Sequence, residues 1–161
     1  MVYLNNKLSK EELVREIHDV LNEHRSGTLA TVLENYPRSS PVIYFTGNDM
    51  DIYILSAGGD KFKAIENNNN VCFLVNTEYI DYKRIKGAQV FGKATTSVND
   101  SSIIEEAKKY IFDKHLLEQH NDIKIIKIIP EEIVYLDSLE EGNRTKQVLK
   151  NGEVQIKEDE F

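Results

Sequence analysis

The chain has no tryptophan, one cysteine, three prolines and four histidines in 161 residues. The lone cysteine, Cys72, excludes an intrachain disulfide framework and suits a reducing compartment. No apolar run approaches the roughly 20 residues of a membrane-spanning helix, and the N-terminus lacks the apolar core of a secretory signal. The expectation is therefore a cytoplasmic protein with no membrane partner. Basic residues are also short, 20 Lys and Arg against 27 Asp and Glu, and the net charge of −7 argues against a nucleic-acid surface. The histidines are not spaced for a metal ion. His18 and His24 fall on different faces of a helix, and His115 and His120 have no cysteine or carboxylate at ligand spacing. No internal repeat is present.

What remains is ordinary globular material, 40% hydrophobic and 29% charged, long enough for one domain with a sizeable core. Its most informative stretch runs from Gly27 to Lys63. Gly27-Thr-Leu-Ala-Thr-Val32 leads through a turn at Asn35-Tyr-Pro37 into Arg38-Ser-Ser-Pro-Val-Ile-Tyr-Phe45. A second turn, Gly47-Asn-Asp49, precedes Asp51-Ile-Tyr-Ile-Leu55, and the loop Ser56-Ala-Gly-Gly-Asp60 opens onto Lys61-Phe-Lys63. Three β-rich runs joined by Gly, Asn, Asp and Pro turns predict an antiparallel meander. In its first strand Leu29, Thr31 and Leu33 share a face. Pro41 has no amide hydrogen, so its position must face an edge, a bulge or a ligand. The small-residue loop before a short helix, with two lysines beside it, is a place for a phosphate. Free N–H groups point outward there and glycines let an anion approach.

Around the meander, Ser9-Lys-Glu-Glu12 is a capping box, and Leu13, Ile17, Val20 and Leu21 predict an amphipathic helix over 10–24. The continuous apolar run Val71–Val75 predicts a strand buried on both sides, with Cys72 as a core filler and not a nucleophile. Gly92, within a strand over 88–94, predicts a bulge or a tight barrel corner. Ser102-Ile-Ile-Glu105 predicts a second capping box and a helix to about Leu117. A strand over 123–129, stopped by Pro130, and a last short strand over 133–136 follow. Residues 139–161, charged and poor in large apolar groups, predict a tail or an arm ordered by a partner, leaving 1–138 as the folded domain. Six or more short strands with few helices favour a small barrel over a parallel sheet.

Taken in that order, from about Leu13 to Ser138, the chain resembles the pyridoxamine 5′-phosphate oxidase-like flavin-binding split β-barrels. The pieces are Gly27–Val32, Pro37-Arg-Ser-Ser-Pro-Val42, Ile52-Tyr-Ile-Leu-Ser56, Lys61 with Ile65-Glu-Asn-Asn68, Val71-Cys72, Gln89-Val-Phe-Gly-Lys-Ala94 and Ile129-Pro-Glu-Glu-Ile-Val-Tyr-Leu136. The resemblance implies a six-stranded antiparallel split barrel with flanking helices and an FMN held between the subunits of a homodimer. By position, Ser56, Lys61 and Lys63 would meet the FMN phosphate, with Arg38 or Ser40 contributing from the neighbouring strand. The backbone of Val42, Ile43 and Tyr44 would flank the flavin ring, and Gly87 to Gln89 would approach from the other subunit. The implied activity is an oxidoreductase passing hydride between the flavin and a small molecule; the other reading is a non-catalytic flavin- or haem-binding module. True oxidases of this group close their substrate site with a segment containing tryptophan and arginine. Here tryptophan is absent and the C-terminal stretch offers only Arg144.

Overall fold

A computed structural model of the chain describes residues 7–140 and 144–157. The first helix, α1 (Lys10–Glu23), begins where its capping box places it. The Ser9 hydroxyl accepts from the Glu12 N–H at 3.1 Å, and the Glu12 carboxylate accepts from the Ser9 N–H at 3.4 Å. Strands β1 (Ser26–Leu33), β2 (Tyr36–Thr46) and β3 (Ile52–Ser56) form the meander. The β1–β2 turn is Glu34–Asn35, one residue tighter than the sequence predicts. Both residues have positive φ, 53° and 66°, as a two-residue hairpin turn requires. Then come α2 (Asp60–Asn67), β4 (Asn70–Asn76) and β5 (Lys86–Thr96). They are followed by α3 (Ser102–Lys108), α4 (Lys114–Gln119), β6 (Lys124–Asp137), β7 (Lys146–Lys150) and β8 (Glu153–Lys157).

The sheet order is β3-β2-β1-β4-β5-β6-β7-β8, antiparallel throughout, and β3 also pairs with β6. The first six strands therefore close into a barrel, as expected, and β7–β8 is a hairpin added outside the closure. One edge of β6 is divided between two partners. Residues 124–128 pair with β3 and residues 132–136 with β7, while β5 runs along the other edge. Between those halves lies a bulge: Phe91 pairs with Glu132 and Gly92 with Pro130, leaving Glu131 without a partner on β5. Pro130 thus sits inside one continuous strand at its bulge and does not end it. Gly92 must be glycine, because a Cβ there would run into the Ile129 carbonyl.

Two cores result. Inside the barrel, Leu13, Ile17, Val20 and Leu21 of α1 pack with Leu29, Ile54, Phe73, Val90 and Ile126, and the buried Tyr44 hydroxyl donates to the Leu21 carbonyl at 2.5 Å. On the outside, Tyr53, Leu55 and Ile125 are covered by Ile103, Ala107 and Ile111.

Four expectations need correction. The helix over 102–117 is two short helices, and no capping box forms at Ser102. Asp100 accepts from both the N–H and the hydroxyl of Ser102, so the serine is spent on the turn before α3. Asp113 starts α4 afresh by accepting from the His115 N–H. Strand β4 is not buried on both sides: Val71, Phe73 and Val75 face the core, whereas Leu74 is 38% exposed on the outer surface. Finally, residues 146–157 are not a tail: Leu149 and Val154 join the core beneath α1, and Val148 is buried on the opposite face of β7. Residues 141–143 and 158–161 of that predicted tail lie outside the described residues.

Candidate functional site

The loop between β3 and α2 is built from two glycines in conformations that side chains disfavour, Gly58 at φ 139° and Gly59 at φ 113°. Ser56 ties it off. Its hydroxyl accepts from the Gly58 N–H at 3.2 Å and donates to the Gly58 carbonyl at 3.1 Å. Two ammonium groups lie over the same turn. Lys61 Nζ donates to the Gly58 carbonyl at 2.8 Å, and Lys124 Nζ donates to the Ala57 carbonyl at 3.1 Å. A Cβ on Gly59 would meet Lys61 Nζ at 3.4 Å, and one on Gly58 would meet Lys124 Nζ at 3.6 Å. Side chains at 58 and 59 would therefore each lie against one of the two ammonium groups. Arg38 arrives from β2 and pairs with Asp60 at 2.8 Å across an exposed surface. Three cations and one carboxylate thus surround a glycine turn at the start of a helix. That combination suits a phosphate, which takes charge-assisted bonds from ammonium and guanidinium groups.

Lys124 is the member that sequence reasoning missed. It enters because β3 pairs with β6 and sets Ser56 directly opposite Lys124, a long-range register with no local signature. Lys63, by contrast, is not brought to the turn. It lies two residues beyond Lys61 on α2, on another face, and is exposed. Ser40 is half-buried on the same face of β2 as Arg38, paired with Leu29.

Val42 and Tyr44 turn their side chains into the core, and burial pushes the Tyr44 phenol up, so it remains a neutral packing group. Only their backbone and the side chain of Ile43, 52% exposed, can serve a ligand outside the barrel. The pairing of β2 with β3 stops at Ile43 opposite Leu55, so β2 from Pro41 towards Arg38 has a free edge on that side. The Tyr44 N–H donates to Arg25 on the β1 side, and the alternation of the strand puts the Pro41 imide on the free edge, where no donor is needed. A cavity of about 220 Å³ opens beside Ile43, lined also by Arg25, Phe45, Leu55, Phe112 and Leu116.

Gln89 lies elsewhere in the protomer. It stands on the outer face of β5 between Leu74 and Val134, with β1 and β4 separating β5 from β2. It borders a second cavity of about 210 Å³ with Gly87, Tyr79 and Arg144. Cys72 is half-buried beside Gln89, and burial pushes its thiol up, which disfavours the thiolate a nucleophile needs. Among the described residues no three His, Cys, Asp or Glu side chains converge to hold a metal, and no helix is long and apolar enough to cross a membrane.

The closed six-stranded antiparallel barrel is a fold shared with many solved proteins. The family profile of pyridoxamine 5′-phosphate oxidase matches residues 13–137, and the chain belongs to that family. Among solved structures it is similar to General Stress Protein 26 from Bacillus anthracis, at 26% identity and TM-score 0.60 over 77% of this chain and 93% of that one. It is also similar to an FAD-binding protein from Mesorhizobium loti, at 20% identity and TM-score 0.60 over 80% and 94% of the two chains. A heme binding protein from Mycobacterium smegmatis shares the fold at 14% identity and TM-score 0.60, over 94% of this chain and 59% of that one. No curated protein sequence matches the chain.

Proposed function

We propose that the chain is an FMN-binding oxidoreductase that works as a homodimer, passing hydride to or from a small-molecule redox substrate. The observation supporting this reading is the convergence of Lys61 Nζ and Lys124 Nζ on the Gly58–Gly59 turn. Both ammonium groups rest on backbone carbonyls, contacts that a phosphate would replace with stronger charge-assisted ones. Arg38 supplies a third cation once it turns from Asp60. The free edge of β2 and the side chain of Ile43 offer a polar rim and an apolar surface to a flat ring. FMN, when bound, supplies the hydride chemistry; the protein's part is to hold and orient it.

The homodimer is part of the same proposal. Gln89 and Gly87 lie on β5, separated from β2 by β1 and β4, and in this proposal they serve the Ser56–Lys61 turn from a second copy. Leu74, 38% exposed, and Phe91, 37% exposed, stand on the outer face of adjoining strands, where such a copy would cover them. Oxidation of pyridoxamine phosphate itself is not proposed, because these 161 residues contain no tryptophan.

An absorbance spectrum of the purified protein tests the reading, with chromatography of the released cofactor to distinguish FMN from FAD. Flavin bands and released FMN support it. A Soret band would support the haem-binding module instead, and a chain that shows neither band and takes up no added FMN would end it.

A further inference from the structure

A further cavity has no residue in common with the candidate flavin site. It holds about 630 Å³ between α1, the 3-10 turn Asn48–Met50, the β6 bulge and the β7–β8 turn. That volume lies within the range of small-molecule sites. Its floor is apolar: Val14, Met50, Ile133 and Leu149. Its walls differ in charge. Lys10 and His18 stand one turn to either side of Val14 on α1, so all three share one face of the helix. Asp49 and Glu131 stand on the other elements. Among the described residues none of these four groups enters an ion pair within 4 Å.

Glu131 is there because of the bulge. As the residue without a partner on β5, it is the extra position of the strand, and such positions re-aim a side chain out of the sheet's alternation. The hairpin turn completes the enclosure, with Gly152 so close under Lys10 that a Cβ there would lie 3.2 Å from Nζ.

We infer that this cavity binds an apolar zwitterion of about dipeptide size. Its carboxylate faces Lys10 and His18, its ammonium faces Asp49 and Glu131, and its apolar side chains lie on Val14, Met50, Ile133 and Leu149. A purely apolar ligand would use neither charged wall, and a ligand of one charge would satisfy only one of them.

The probe is L-leucyl-L-leucine, titrated into the isotope-labelled full chain and followed by backbone amide shifts. Perturbations confined to residues 10–18, 48–50, 130–133 and 149–152 are expected. N-acetyl-leucyl-leucine, lacking the ammonium, and leucyl-leucinamide, lacking the carboxylate, should each bind about tenfold more weakly. Glu131→Gln should weaken the free dipeptide and shrink its advantage over the acetylated form, while Lys10→Met should shrink its advantage over the amide. Both side chains are exposed, so unchanged shifts elsewhere in either variant will show that its fold is intact. No perturbation at millimolar dipeptide, perturbations centred elsewhere, or equal binding of the blocked and free peptides would each overturn the inference.

Discussion

Asp60 is where the candidate phosphate site works against itself, because its carboxylate stands beside Lys61 and occupies Arg38 at 2.8 Å. Asp60→Asn removes a repulsive charge and releases the guanidinium. FMN should then bind several-fold more tightly at low ionic strength, with the gain shrinking as salt screens the exposed charges. Flavin-fluorescence titrations at two salt concentrations check both parts; a loss of affinity would mean that Asp60 orders the loop and does not oppose the anion. Gly92 has a different role, since any side chain there collides with the backbone across the bulge. Gly92→Ala should cost about 1–3 kcal/mol in urea unfolding, the usual range for overpacking. Unchanged stability would show that the bulge is not the tight corner described.

Among the elements, α3 is held to the barrel by a polar cluster as well as by its apolar stripe. The Glu106 carboxylate accepts from the Tyr53 hydroxyl at 2.5 Å and from Lys127, whose ammonium also lies 3.9 Å from Asp51. Those hydrogen bonds, Lys127 first, hold the Glu106 carboxyl below its ordinary value, while burial pushes Asp51 up. A depressed carboxyl stabilises the fold above its unfolded pKa and loses that contribution as pH falls through the folded one; Asp51 acts in the opposite sense. As pH drops below about 4.5, α3 should therefore loosen before the barrel does, and Glu106→Gln should remove that loosening. Hydrogen exchange of residues 103–107 reads this out; identical profiles in both proteins would contradict it. Legibility varied between elements for physical reasons. Helix α1 and the meander were readable because their caps, turns and periodicity are local. The β7–β8 hairpin was not, because Lys146, Lys150, Glu153 and Lys157 outweigh the few buried residues between them. Its Asn151-Gly152 turn was nonetheless a hairpin signal in plain view. At the candidate site, Ser56, Lys61 and the two glycines are contiguous in the chain and could be read, whereas Lys124 depends on strand register and could not.

For the whole molecule, the proposed flavin reading brings Gln89 of a second copy to the Ser56–Lys61 turn. Sedimentation should give a species of twice 18.5 kDa at micromolar concentration. Leu74→Arg, on the exposed outer face of β4, should shift it to the monomer and weaken FMN binding at the same time. A monomeric variant that keeps full FMN affinity would place the whole site within one chain. The most direct measurement compares FMN and riboflavin, which differ by the phosphate alone, against the parent, Lys61→Ala and Lys124→Ala. Each charge-assisted contact is typically worth ~1.5–3 kcal/mol, so each variant should lose roughly ten- to a hundred-fold in FMN affinity and almost nothing for riboflavin. Equal losses for the two ligands, or none for either, would contradict a phosphate held between Lys61 and Lys124.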